Sequence, residues 1–221
     1  MIETLLSTYR SVIVLNSPTL CKFPILDEVP IIAADGAEKW LMETDQMKSP
    51  DLFIVGDGDS STSDRLIKFS DQDTTDFEKC IDFAKAKDLL PALVLGVNGG
   101  EIDHILGNIQ TLLKCSRGPS LFFLDRFLDQ YKIGIPLEKG TWQIDVEAGT
   151  TVSIIPFVST VLTTSGLAWE LHNQELVPDG LTSMRNRAES KRIELTVLEG
   201  KALFIADMNQ NRLVNCRHLQ G

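Results

Sequence analysis

The chain has 221 residues, 43% hydrophobic and 24% charged, a length and balance that suit one large or two modest folded domains and exclude a disordered chain. Its formal net charge of -10 excludes a basic surface built to hold a nucleic-acid backbone. A small molecule is the expected partner, and an anionic one would need a divalent cation to offset the repulsion.

In chain order, a helix is expected before Ser11, then short apolar strands at Ser11 to Leu15, Pro30 to Ala34, Asp51 to Val55, Ala92 to Val97 and Leu121 to Leu124. Between them, helices are predicted at about Ala37 to Thr44, Asp76 to Asp88 and Asp103 to Lys114, the last two with one apolar face each. Strands alternating with helices predict an α/β N-terminal domain with a mainly parallel sheet, over residues 1–132. From 133 to 221 short β-type runs separated by Gly, Pro, Asn and Ser predict a smaller all-β sandwich: Trp142 to Val146, Thr151 to Ile155, Gly166 to Leu171, Ile193 to Leu198 and Ala202 to Ile205. Cys21, Cys80, Cys115 and Cys216 are scattered, with no zinc-ligand spacing. With no signal-peptide pattern and no apolar run of membrane-spanning length, the expectation is a reduced cytoplasmic protein.

Three polar clusters carry the chemistry. In "DLFIVGDGDSS" an apolar strand ends in Asp57 and Asp59, two residues apart and able to converge at the strand end, where open α/β sheets bind ligands. Two carboxylates about 4 Å apart repel by roughly 4 kcal/mol at an effective dielectric near 20, so the pair implies a cation; a plain Gly/Asp turn is the structural alternative. An EF-hand loop fails, because Thr62 replaces its glycine and Lys68 its bidentate glutamate. In "SDQDTTDFEKC" Thr75 and Glu78 form a capping box, which leaves Asp73, Asp76 and Lys79 for other work. In "LGVNGGEIDHILGNI" a strand passes through Gly99 and Gly100 into a helix headed by Asp103 and His104, a turn whose amides suit phosphate oxygens. No P-loop, dinucleotide fingerprint or nucleophile elbow is present.

Taken in order, "VIVLNSPTL", "AADGAEKWL", "VGDGDSS", "DQDTTDFEKC", "NGGEIDHILGNI", "VSIIPF" and "GLAWEL" resemble the thiamin pyrophosphokinase family over about residues 12 to 206. The resemblance implies transfer of the pyrophosphoryl group of ATP to the hydroxyl of thiamine with release of AMP, in a homodimer with active sites between domains and across the subunit interface. It implies Mg2+ on Asp57 and Asp59 with Asp73 or Asp76. It also implies nucleotide and pyrophosphate contacts from Asn16, Asp35, Gly36, Ser60, Thr75, Lys79, Gly99, Gly100, Asp103, His104 and Asn108. Asp73 and Asp103 are the two candidates for accepting the hydroxyl proton.

In "LTSMRNRA" Ser183 and Asn186 are the nearest equivalents of the family's Ser-Asn pair at the thiamine site, and Trp169 is either an aromatic face for the cationic rings or a core residue of the sandwich. The chain departs from the family pattern at Glu101, where arginine is common, and at Ala37, where glycine is. Lys79, Arg65 or Arg185 would then supply the missing positive charge. The same acidic machinery would also serve another acceptor, such as a hydroxymethyl pterin, or survive in a non-catalytic thiamine or nucleotide sensor.

Overall fold

The structure is a computed structural model that describes residues 9–18, 29–43, 51–59, 63–71, 73–118, 120–208 and 215–219. Two compact units emerge: the described residues of Leu6–Cys115 with Phe123–Leu128, and those of Ser116–Phe122 with Asp129–Gly221. The helix expected before Ser11 lies outside the described residues.

In the first unit, β1 (Ser11–Val14), β2 (Ile31–Ala34), β3 (Leu52–Gly56), β4 (Leu66–Lys68) and β5 (Ala92–Leu95) pair in parallel in the order β5-β1-β2-β3-β4. β1, β2 and β5 are buried along their whole length. That is why they read as continuous apolar runs rather than alternating ones: helices cover such a sheet on its faces. A 3-10 turn at Asp35–Ala37 leads into α1 (Glu38–Glu43), and α2 (Asp76–Ala86) and α3 (Ile102–Cys115) follow β4 and β5. α2 presents Phe77, Cys80, Ile81 and Ala84 to the interior. The capping box at its start is formed: Thr75 Oγ1 accepts the Glu78 N–H at 3.2 Å, and Glu78 Oε2 accepts the Thr75 N–H at 3.1 Å. β6 (Leu121–Phe127) extends three residues past the expected end.

The second unit is all-β. One group pairs antiparallel as β12 (Ser183–Arg187), β9 (Thr151–Pro156), β14 (Ala202–Met208) and β7 (Gln130–Leu137). The other runs β11 (Gln174–Leu176), β10 (Thr160–Ser165), β13 (Arg192–Glu199), β8 (Gly140–Asp145) and β15 (Asn215–Leu219). Alternate residues of β8, β9, β10 and β13 are buried, the signature of a sandwich with one face of each sheet inward. Trp142 is completely buried there, its indole N–H donating to the Glu138 carbonyl at 2.9 Å. The strand expected at Gly166 to Leu171 is instead a loop. Gly166 sits at φ +95°, and the Glu170 carboxylate accepts the Gly166 and Leu167 N–H groups at 2.7 and 2.9 Å, diverting them from a ladder.

Candidate active site

Adjacent parallel strands bring two distant acidic segments together. With Ala34 opposite Val55 in the β2–β3 register, Asp35 and the turn Asp57-Gly58-Asp59 leave the sheet side by side at its carboxyl edge. One carboxylate oxygen from each of Asp35, Asp57 and Asp59 lies within 4.8 Å of the others. Gly56 permits this approach, since a Cβ there would stand 2.5 Å from Asp35 Cγ. Gly58, at φ +85°, donates its N–H to Asp35 Oδ2 at 3.1 Å, and Asp59 N–H donates to Asp57 Oδ1 at 3.1 Å. Asp35 is 1% exposed. Burial pushes its carboxyl up from the ordinary value, the Gly58 N–H opposes that, and the charges of Asp76 and Asp59 add to the rise. Three such carboxylates are an unfavourable arrangement without a cation, and their hard oxygen donors fit a divalent ion of the magnesium or calcium kind.

Asp73 and Asp76, expected to share the cation, fall outside this three-carboxylate group, which recruits Asp35 instead. Asp76 Oδ1 accepts from Lys79 Nζ at 3.0 Å. Asp73 is exposed in the turn before α2, where its N–H donates to Asp71 Oδ1 at 2.9 Å. Lys79 is only 4% exposed. Burial works against its charge, but the bond to Asp76 and the charges of Asp76, Asp57 and Asp35 outweigh that and raise its pKa. Lys79 is thus an internal cation set among the acids. Glu78 accepts from Lys114 Nζ on α3 at 2.5 Å, and this bond, with that from the Thr75 N–H, holds its carboxyl below the ordinary value.

Beside the cluster lies a cavity of about 430 Å³. Asn16 after β1, Asp35 and Gly36 after β2, Thr75 and Asp76 at the start of α2, and Asp103, His104 and Asn108 on α3 all line it. Leu15 and Ala34 line it too, with Phe77, which the sequence places on the apolar face of its helix, and with Gly107 and Thr111, which only their place on α3 marks. The Gly99 N–H, expected to face phosphate, donates to the Val97 carbonyl at 2.9 Å. The glycine itself makes room for His104, whose Cβ would meet a Cβ at position 99 at 2.8 Å. Gly100 takes φ +85°. Glu101 and Arg65 are exposed. Ser60 lies outside the described residues.

In the all-β unit Ser183, Asn186 and Trp169 form one cluster. Asn186 is 3% exposed. Its Nδ2–H group donates to the Trp169 carbonyl at 2.8 Å and to Ser183 Oγ at 3.3 Å, while its Oδ1 accepts the Trp169 N–H at 3.2 Å. The amide therefore grips the Trp169 backbone from both sides. A bulge supplies the reach: four residues of β12, Ser183 to Asn186, lie against three of β9, Ile154 to Val152, and Arg185 takes φ +52°. Trp169 is 62% exposed and is not a core residue; Arg187 lies 5.9 Å from its ring centroid.

Two family models match in succession: "Thiamin pyrophosphokinase, catalytic domain" over residues 26–122 and "Thiamin pyrophosphokinase, vitamin B1 binding domain" over residues 130–201. The chain belongs to the thiamin pyrophosphokinase family. Thiamine pyrophosphokinase 1 of Arabidopsis thaliana is 31% identical over 188 residues, 76% of this chain and 68% of the relative. Thiamine pyrophosphokinase 1 of Oryza sativa subsp. japonica is 32% identical over 137 residues, 57% of this chain and 50% of the relative. The chain thus spans between half and about two thirds of the length of these two curated relatives. The fold is shared with the thiamin pyrophosphokinase of Geobacillus thermodenitrificans, at TM-score 0.72 and 22% identity over 92% of this chain and 99% of that one. That of Candida albicans matches at TM-score 0.72 and 19% identity, over 92% and 90%. The thiamin pyrophosphokinase fold is therefore an α/β domain followed by an all-β sandwich in this chain too. Among the described residues no helix is long and apolar enough to cross a membrane.

Proposed function

We propose that this chain is a magnesium-dependent thiamine diphosphokinase, which transfers the pyrophosphoryl group of ATP to the hydroxyl of thiamine and releases AMP. The observation that carries this reading is the convergence of Asp35, Asp57 and Asp59 at the edge of the sheet, beside a cavity rimmed by the family's polar residues. Residues 1–132 would serve as the ATP and magnesium domain and 133–221 as the thiamine domain.

The three carboxylates would hold the Mg2+, which when bound supplies positive charge against the polyphosphate. Lys79 adds a fixed positive charge next to the same acids. Asn16, Gly36, Thr75, His104 and Asn108 line the space for the nucleotide, and Asp76 keeps Lys79 in place. Phosphoryl transfer asks mainly for positioning and charge stabilisation, so the thiamine hydroxyl is taken to attack the β-phosphorus in line, with AMP leaving. Asp103, on the cavity wall, is the proposed acceptor of the hydroxyl proton, with Asp73 the alternative. In the sandwich, exposed Trp169 offers an aromatic face to a flat cationic ring system, and the buried Ser183–Asn186 pair fixes its backbone.

We also propose a cytoplasmic homodimer. Ile102 and Leu106, large apolar side chains exposed on α3, support a protein contact there.

Purified protein given ATP, MgCl2 and thiamine should release AMP in equal amount to thiamine diphosphate, and EDTA should abolish it. AMP formed with a hydroxymethyl pterin and not with thiamine would refute the acceptor; nucleotide binding with no AMP from either would refute the enzyme. Sedimentation at working concentration reads the dimer.

A further inference from the structure

Asp125 is a buried acid with no part in the proposed mechanism. It lies near the end of β6, 4% exposed, and the family motifs do not include it. Its Oδ2 accepts the Asn98 N–H at 2.7 Å and its Oδ1 the Arg126 N–H at 2.8 Å. Burial pushes its carboxyl up, and the amides of Asn98, Arg126, Gly96 and Val97 oppose that. A carboxylate is the side chain that can face several N–H donors at once without presenting a hydrogen of its own.

The segment it grips is the turn between β5 and α3. That turn is tied at further points: the Asn98 Nδ2–H donates to the Arg126 carbonyl at 2.9 Å, and the Ser17 hydroxyl donates to the Asn98 carbonyl. Gly96, at φ +85°, lies so close to β1 that a Cβ would stand 2.5 Å from the Leu15 carbonyl oxygen. Asp125 and Ser17 therefore hold one turn from opposite neighbours, the ends of β6 and β1. From this turn two cavity residues take their positions. Asn108 Nδ2–H donates to the Val97 carbonyl at 3.2 Å, and His104 packs against Gly99.

We propose that Asp125 is a positioning residue for the nucleotide: by fixing the Gly96–Asn98 backbone it sets Asn108 and His104 along the cavity wall, without touching substrate itself. This rests on the cavity being the nucleotide site. Asp125→Asn keeps the size but turns an NH2 group toward amide donors, so the turn must shift.

Expected for Asp125→Asn is a rise of about tenfold in KM for ATP, with kcat and the KM for thiamine within about twofold of wild type. The Kd of a non-hydrolysable ATP analogue, measured by calorimetry, should rise in parallel. Combined with Asn108→Ala, the effects should fall well short of additive, because both act through the same turn. If Asp125→Asn does not fold, Ser17→Ala loosens the turn from the β1 side and should raise the analogue Kd by about threefold. A lowered Tm with an unchanged ATP KM and analogue Kd, or strictly additive effects with Asn108→Ala, overturns the proposal. Wild-type protein that does not bind the analogue overturns the site reading itself, and the proposal with it.

Discussion

The two units build their sites from opposite electrostatic materials. In the α/β unit, Asp35, Asp57 and Asp59 crowd together with like charge, a local cost in stability that a bound cation would offset. In the all-β unit, the polar atoms of Asn186 and Ser183 are satisfied by each other and by the Trp169 backbone, so the cluster is held together without a ligand. Removing an acid from the first should relieve the free protein and destroy function. Removing the amide from the second should cost stability first.

The strongest way to break this contrast is Asp59→Asn. AMP release is expected to fall by about 100-fold or more, while the metal-free Tm stays level or rises because a repulsion has gone. Near-normal turnover would end the assignment of Asp59 to the cation. On the other side, Asn186→Ala leaves the Trp169 backbone groups without their partner and should destabilise by about 2 kcal/mol in urea denaturation; no change in the midpoint would mean the clamp is not structural.

Trp169→Ala sharpens the comparison further, because the ring is exposed while its backbone is held. The thiamine KM should rise by about tenfold, with the ATP KM and Tm unchanged. An equal rise for ATP would remove the aromatic face from acceptor binding. The smallest effect belongs to the Glu78–Lys114 pair. Glu78 has its folded pKa lowered below the ordinary 4.5, so its contribution is complete above that value and is lost as pH falls through the lowered one. Glu78→Gln should therefore cost about 1 kcal/mol or less at neutral pH. The gap from wild type should close on acidification below 4.5, and a gap independent of pH would show that the charge is not what matters.

Local chemistry was legible where a feature is written in neighbouring residues. The parallel strands read as apolar runs because both faces are buried, the Thr75–Glu78 capping box spans three residues, and Asp57 and Asp59 stand at the end of one strand. Motif order carried the family as well. The loop at Gly166 to Leu171 was read as a strand because its apolar residues fit the pattern, and only the folded Glu170 side chain reveals why its amides leave the ladder.

What tertiary structure alone decided depends on residues far apart in the chain. Asp35 joins Asp57 and Asp59 through the β2–β3 register. Asp125 reaches Asn98 across 27 residues, and Asn186 reaches Trp169 across 17. Spacing in sequence sets which side chains share a strand end or a helix turn, whereas pairing between elements chooses which charges become neighbours and which polar groups are buried. That choice is made by packing the whole sheet, and no single segment encodes it.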